Sequence, residues 1–136
     1  MKASALLLFL CCSLPVLGQQ TKKTAVVFDC DCTDPVASQY ATAVRDLLAS
    51  SPRYYLANEA EEKGTDGKIS LYNWHLKVVS LDSSIEHDGT ATAFSVVLLL
   101  GNSLFMSHEI QTCGANRVSY CASTTVSFMD RYLSAK

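Results

Sequence analysis

The sequence lacks the features that mark several large classes of protein. It contains no Asn-x-Ser/Thr acceptor for glycosylation, no glycine-rich phosphate loop and no evident internal repeat. Its longest basic run is Lys22-Lys23, so the electrostatic footprint for a phosphate backbone is missing and nucleic-acid binding is not expected. Beyond the N-terminal region, the apolar run Ala93–Leu100 covers only eight residues, whereas a membrane span needs about 20.

The N-terminal region is typical of a secretion signal. Lys2 supplies the positive start, Ala5–Leu17 is an apolar run, and the small residue Gly18 precedes Gln19. The run is too short for a transmembrane helix and is interrupted by Pro15. We therefore expect cleavage just before Gln19, which would make the mature chain an exported one.

Cleavage at this point defines the mature chain. We expect residues 1–18 to be the signal and residues 19–136 to form one exported domain, because 118 of the 136 residues remain, too few for two domains. Loss of Lys2 leaves 10 of the 11 Lys and Arg against 13 Asp and Glu, a net charge of about −3. The expected location is the periplasm or the extracellular space, with no membrane span once the signal is gone.

Four of the six cysteines remain after cleavage, and an even number in an exported chain favours disulfides. Zinc is not expected, because Cys30 and Cys32 are two positions apart while Cys113 and Cys121 are eight apart. The preferred bridge joins Cys113 to Cys121 across a turn at Gly114. Residues two apart on a strand are poorly placed for direct bridging, so the next choice is a bridge from Cys30 or Cys32 to one of the other two.

The first half of the mature chain is typical of a β-α-β unit. Thr24–Phe28 is a short β-branched run, and Asp34 followed by Pro35 predicts the start of a helix that ends near Pro52. Arg53–Ala57 is the second strand candidate, expected to lie parallel to the first. The helix has one apolar face, formed by Val36, Tyr40, Val44, Leu47 and Leu48.

The second half is typical of an antiparallel meander followed by a helix. Ile69–Leu81, Thr90–Leu100 and Ser103–Thr112 are strand candidates, and Gly101-Asn102 is the connection expected to close a hairpin. Asn116 is the expected cap of a helix whose apolar face contains Val118, Ala122, Thr125, Met129 and either Tyr132 or Leu133. The order β-α-β-β-β-β-α predicts a single α+β (mixed α/β) domain with a mixed four- to five-stranded sheet and two helices on one face.

This element order, together with the run Leu47–Leu56, resembles the small α/β domain at the N-terminus of the TolB family of periplasmic proteins. The resemblance implies a periplasmic domain that makes protein contacts or serves envelope assembly, without catalysis. It carries over no functional residue, because the matched pattern is structural. The favoured function is therefore binding of a protein or other envelope component, with no cofactor and no metal.

A second resemblance is local and chemical. Val26–Thr33 is similar to the first motif of the haloacid dehalogenase superfamily, an apolar strand that ends in Asp-x-Asp-x-Thr. The resemblance implies Asp29 as nucleophile, Asp31 as general acid/base and magnesium as cofactor. The later lysine of that pattern is absent, since the only lysine after Ser80 is Lys136. A magnesium-dependent phosphatase-like enzyme is thus the alternative function, and the favoured interpretation leaves both aspartates exposed at a strand end.

The remaining candidates are single side chains without a supporting pattern. The histidines are scattered: His75, His87 and His108. The aromatic residues have a strand-like spacing that suits a core as well as a recognition surface: Tyr54, Tyr55, Tyr72 and Trp74.

Overall fold

Five strands and two helices form the part of the chain that the computed structural model describes, residues 22–58, 73–81, 90–101 and 103–134. The strands are β1 (Thr24–Asp31), β2 (Tyr54–Leu56), β3 (Trp74–Leu81), β4 (Ala91–Leu100) and β5 (Leu104–Gly114). The helices are α1 (Pro35–Ser50) and α2 (Val118–Leu133), with a 3₁₀ turn, Ala115–Arg117, directly before α2. The predicted start of the third strand at Ile69, as well as Tyr72 and His87, lies outside the described residues.

The sheet is mixed, with the strand order β2-β1-β3-β4-β5. β1 lies between two parallel partners, whereas β3, β4 and β5 are antiparallel to one another. Gly101 has a φ of 57° in the connection between β4 and β5, a backbone conformation that glycine adopts without steric cost. The predicted α+β fold and the predicted hairpin at this glycine are confirmed.

Helix α1 begins and ends where the sequence predicts. The Asp34 side chain accepts a hydrogen bond of 2.9 Å from the backbone N–H of Ala37, and Pro35 occupies the first turn, where its missing donor is not needed. At the other end the backbone N–H of Ser51 donates to the carbonyl of Leu48. The buried face of the helix consists of Val36, Ala37, Tyr40, Ala41, Val44 and Leu48.

Helix α2 begins differently from the prediction. Asn116 was expected to cap it, and this expectation is wrong: Asn116 lies within the 3₁₀ turn, and Arg117 occupies the cap position without a side-chain bond. The chain tightens into the 3₁₀ turn directly after β5, which moves the first helical residue to Val118. Among the described residues, no helix is long and apolar enough to span a membrane.

The core lies between the helices and one face of the sheet. Strand alternation turns every second residue toward α1 and α2, and these side chains are almost fully buried. Burial of each large side chain contributes on the order of 1.5–3 kcal/mol, which makes this layer the main source of stability. The inward-facing strand residues are Val26, Phe28, Tyr54, Trp74, Leu76, Val78, Phe94, Val96 and Leu98.

A buried polar cluster joins both helices to the edge strand β5. The hydroxyl groups of Tyr40 and Thr125 lie 2.5 Å apart, and the side-chain amide of Gln111 donates to both, at 3.0 and 2.6 Å. The Tyr40 ring also stacks on Phe94, with 4.1 Å between the ring centroids. Burial raises the pKa of the Tyr40 phenol to about 12, although its bonds to Thr125 and Gln111 act in the opposite direction.

A second cluster fastens the short strand β2 to the last turn of α2. The Tyr54 hydroxyl donates to Asp130, and the guanidinium of Arg53 lies 3.0 Å from the same carboxylate. The pKa of Tyr54 is raised, first by burial and then by the hydrogen bond to Asp130. The carboxylate of Asp130 thus holds the edge formed by β2.

Replacement of Tyr40 by Phe tests the first cluster. At neutral pH we expect a loss of about 1 kcal/mol in the free energy of unfolding, because Gln111 and Thr125 keep each other as partners. In the wild type the folded phenol ionises near pH 12 and the unfolded phenol near pH 10, so stability is lost across that interval. Urea denaturation measures the free energy of unfolding at pH 8 and pH 11. Between these two pH values the wild type should lose about 1.4 kcal/mol more of it than Tyr40→Phe does. An equal loss in both proteins would contradict this assignment.

Candidate functional site

Asp29 and Asp31 are exposed at the C-terminal end of β1. Strand alternation places both on the sheet face opposite the helices, where Asp29 is in register with Lys77 and Asp31 with Val79. The two carboxylates therefore share a face, as the aspartate motif requires. Among the described residues, no group of three or more His, Cys, Asp or Glu side chains is placed to hold a metal ion.

The third aspartate of this region, Asp34, has a structural environment. One carboxylate oxygen caps α1 through Ala37, and the other accepts a hydrogen bond of 2.9 Å from the Thr92 hydroxyl. The side chain therefore joins the start of α1 to β4. Its oxygens are engaged in holding the fold.

The backbone that follows β1 is held by β3. The Ser80 hydroxyl donates to the Asp31 carbonyl and accepts from the Thr33 backbone N–H, both at 3.3 Å. From β1 the chain continues to β2, its neighbour on one side in the sheet, and the next strand, β3, lies on the other side of β1. The strand order therefore reverses at this end of β1. Ligand-binding crevices in open α/β sheets occur at such points, at the carboxyl ends of the strands.

Cys30 and Cys32 pair with each other at this end of β1. The sequence disfavoured this direct bridge and ranked a bridge to Cys113 or Cys121 above it, and the structure differs on both points. The two Cα atoms are 5.3 Å apart, closer than the roughly 6.6 Å of an ideal strand and within the usual range for disulfides. The chain bends where β1 ends, which brings the two sulfurs together. Both side chains are half-buried.

Cys113 and Cys121 form the second pair, the one preferred from the sequence. Their Cα atoms are 6.1 Å apart, and the bridge joins the end of β5 to the first turn of α2. Only 1% and 5% of the two residues is exposed, so the bridge belongs to the core. Three strand pairings separate Cys30 on β1 from Cys113 on β5: β1 with β3, β3 with β4, and β4 with β5.

The outer strand β5 exposes an apolar surface. We call it the β5 edge and define it as four residues with large exposed side chains: Leu104, Phe105, Met106 and Ile110. Phe105 is 58% exposed and Ile110 is 66% exposed, and larger apolar patches of this kind mark interaction surfaces. Within the described part of the chain, β5 is hydrogen-bonded to β4 alone, so it stands at one edge of the sheet.

Helix α2 holds the inner side of β5 in place. The Ser107 hydroxyl donates to Tyr132 at 2.8 Å, and Arg131 donates to Glu109 at 3.3 Å. The register shifts at Leu98/Leu99, which is a β-bulge near Met106. The face of β5 that carries Ser107 and Glu109 therefore contacts α2. The side chains that alternate with these two residues lie on the opposite face of the strand.

The other sequence candidates are distributed without converging. His75 is fully buried and His108 lies exposed on β5. Tyr54 and Trp74 belong to the core, whereas Tyr55 is exposed on β2. These aromatic residues do not form one recognition surface.

A shallow groove of about 700 Å³ runs between α1 and the start of α2. Asp46 lies on one wall, and Arg117 and Tyr120 lie on the other, with the guanidinium 4.8 Å from the ring centroid. All three side chains are exposed. The groove therefore lacks a buried charged group that would orient a ligand.

Comparison with known proteins assigns no family: no family model, no curated protein and no solved structure matches the chain.

The β5 edge was not singled out from the sequence. Ser103–Thr112 was correctly interpreted as a strand, but alternation alone does not tell which strand is outermost. The run Leu104-Phe105-Met106 was the available signal, because three consecutive apolar residues cannot all face the core from one strand.

Removal of each bridge separately tests their structural weight. We expect the double variant C113A/C121A to lose about 2–3 kcal/mol of unfolding free energy. We expect C30A/C32A to lose about 1 kcal/mol less than that, because the Cys30–Cys32 bridge closes a shorter ring than the Cys113–Cys121 bridge. Urea denaturation of the two double variants and the wild type measures both losses. The opposite ranking would show that the Cys30–Cys32 bridge is the main structural one.

Proposed function

We propose that the chain is an exported, non-catalytic domain that binds another protein by adding a strand of that partner to the β5 edge. The observation that carries the proposal is the apolar surface of an eleven-residue outer strand. An outer strand presents unpaired backbone donors and acceptors, and an extended peptide can pair with them. The partner's own alternate side chains would then contact Phe105 and Ile110.

The composition of β5 supports a binding edge. Exposed edge strands are commonly protected against pairing by lysine, by proline or by short length. β5 has neither of these residues and is longer than any other described strand. Its charged groups are few, and Glu109 is already engaged by Arg131. The bulge near Met106 is the one such device that β5 shows, and strand residues continue on both sides of it.

Two features support export. The apolar run Ala5–Leu17 has the length and flanks of a cleaved signal, and the two cysteine pairs suit an oxidising compartment. The partner is then an envelope or extracellular protein.

Processing of the full-length chain tests export. We expect the exported protein to begin at Gln19, and we expect Leu8→Arg to abolish processing, because a charge in the apolar run blocks its recognition. N-terminal sequencing and intact mass of the periplasmic or secreted fraction measure both. A chain that keeps Met1, or a Leu8→Arg variant that is processed normally, would contradict the proposal.

Selection with a library of random nine-residue peptides tests binding at the β5 edge. We expect selected peptides to contain alternating apolar residues, and we expect Phe105→Lys and Ile110→Lys each to weaken binding at least about tenfold, which is roughly 1.4 kcal/mol of lost apolar contact. Fluorescence anisotropy with the selected peptides measures the affinities. Tyr120→Lys is the matched control, since Tyr120 is 63% exposed and lies on α2.

Two outcomes would contradict binding at this edge. One is a selection that enriches no peptide above background. The other is an equal loss of affinity in Tyr120→Lys and in the β5 variants. Retained affinity in the control together with loss in Phe105→Lys and Ile110→Lys supports the proposal.

The phosphatase alternative has one supporting observation, the shared face of Asp29 and Asp31 beside Lys77. It requires magnesium-dependent hydrolysis of phosphate esters that is lost in Asp29→Asn. Such activity in the wild type would replace the non-catalytic proposal.

A further inference from the structure

We propose that the Cys30–Cys32 bridge is a thiol–disulfide exchange site whose partner is a dithiol in a basic peptide segment. The proposal uses the end of β1 and does not depend on the β5 edge. It assigns different tasks to the two bridges: Cys113–Cys121 holds the fold, and Cys30–Cys32 reacts.

Folding protects the two bridges from reduction to different extents. A disulfide that stabilises the folded state is itself protected from reduction by folding, to the same extent. Cys113–Cys121 ties β5 to α2, so folding protects it. Cys30–Cys32 closes a ring over one intervening residue of a strand end that β3 already holds. Folding therefore protects it less, which is the property of exchangeable disulfides.

The two bridges also differ in their exposure to an attacking thiolate. An attacking thiolate must reach one sulfur atom of the bridge directly. Cys113 and Cys121 are enclosed in the core, whereas Cys30 and Cys32 are half-buried at the end of β1. The strand order reverses at this end of β1, which is where open α/β sheets bind their ligands.

The backbone around Cys30 and Cys32 suits both the oxidised and the reduced state of the pair. The backbone on either side of the pair is fixed by contacts that do not involve sulfur: the Ser80 hydroxyl bonds to Asp31 and Thr33, and Asp34 caps α1. Reduction therefore leaves the two thiols close to each other. Two thiols held in this way re-form the bridge intramolecularly, which makes the exchange reversible.

The charges around the pair indicate the kind of partner. Asp29 and Asp31 are exposed, and strand alternation places them on the face of β1 opposite to Cys30. Two cations lie nearby: Lys77 is in register with Asp29, and Arg45 of α1 lies on the helix side of the strand. With the aspartate that caps α1, three carboxylates stand against two cations, a net charge of about −1, which repels an approaching thiolate and attracts cationic side chains. A dithiol flanked by lysine or arginine offsets this repulsion, so a basic segment is the favoured partner.

The reaction balances without another reagent. A partner thiolate attacks one sulfur, the Cys30–Cys32 bond breaks, and the released thiolate takes a proton. The partner's second thiol loses its proton and attacks the mixed disulfide. The partner has then lost two S–H bonds and gained one S–S bond, and Cys30 and Cys32 have become two thiols. Two electrons and two protons have moved from the partner to the pair.

Glutathione titration of the native, oxidised protein tests the difference between the bridges, with Cys113–Cys121 as the internal control. The measured quantity is the ratio of reduced glutathione squared to oxidised glutathione at which half of a bridge is reduced. We expect this ratio to be at least about tenfold lower for Cys30–Cys32 than for Cys113–Cys121, and we expect Cys30–Cys32 to be reduced at least about tenfold faster. Alkylation after acid quenching, followed by peptide mapping, measures each pair. Reduction of both bridges together, or of Cys113–Cys121 first, overturns the proposal.

Two synthetic dithiol peptides test the partner. Both contain the same Cys-Ala-Ala-Cys centre, which is flanked by lysine in one peptide and by glutamate in the other. The rate at which the protein oxidises each peptide is divided by the rate at which hydroxyethyl disulfide oxidises it, because the flanking charges also change the reactivity of the thiols. At low salt we expect the lysine peptide to be oxidised at least about fivefold faster, and we expect this ratio to fall toward one at high salt. One peptide should be oxidised per protein, and none by C30S/C32S.

The variant D29N/D31N separates the charge argument from the bridge itself. We expect it to keep stoichiometric oxidation and to lose the preference for the lysine peptide. Equal normalised rates for the two wild-type reactions overturn the basic-partner part, and a failure to oxidise either peptide overturns the exchange site. Because none of these readouts involves β5, they leave the proposed function to its own test.

Discussion

The hydrogen-bonded cluster of Tyr40, Thr125 and Gln111 is the contact on which the arrangement of the layers depends. In this cluster α1, α2 and β5 are joined through side-chain hydrogen bonds at the edge of the core. Apolar packing alone leaves helices free to slide, because hydrophobic contacts carry little direction. A buried phenol that must keep its partners fixes the position of α1 against α2, and Gln111 fixes both against the outer strand. The exposure of the other face of β5 follows from that placement.

The elements themselves were predictable from the sequence because their signals are local. The α1 face has a helical period, Asp34 and Pro35 form a standard start, and Gly101 marks a tight connection. Asn116 failed as a cap because the choice between a 3₁₀ turn and a helix start depends on how the chain leaves β5, which is set by packing. Strand order is likewise non-local, so the exposed apolar strand was not identified in advance.

The region around Asp29 and Asp31 shows how one motif supports different chemistry. From the sequence the two aspartates suggest phosphoryl transfer, and the cysteines between and beyond them suggest bridges to distant residues. In the structure the aspartates share the sheet face opposite the helices, and the cysteines pair with each other. Spacing alone did not predict this pairing, because it requires a bend where β1 ends. The acidic pair and the bridge therefore lie next to each other at the end of β1, with the carboxylates on the outer face and the bridge on the side of the core.

The two edges of the sheet are unequal, and this limits what the protein can assemble. At one edge β2 is three residues long and is fastened by the Tyr54 and Arg53 contacts to Asp130, while the opposite edge has eleven residues. Growth of a sheet from copy to copy requires two usable edges on every molecule. A molecule with only one such edge gives a closed pair or a complex with one donor strand. It therefore terminates a growing fibre, and the exposed apolar strand carries less risk of open-ended polymerisation than its composition suggests.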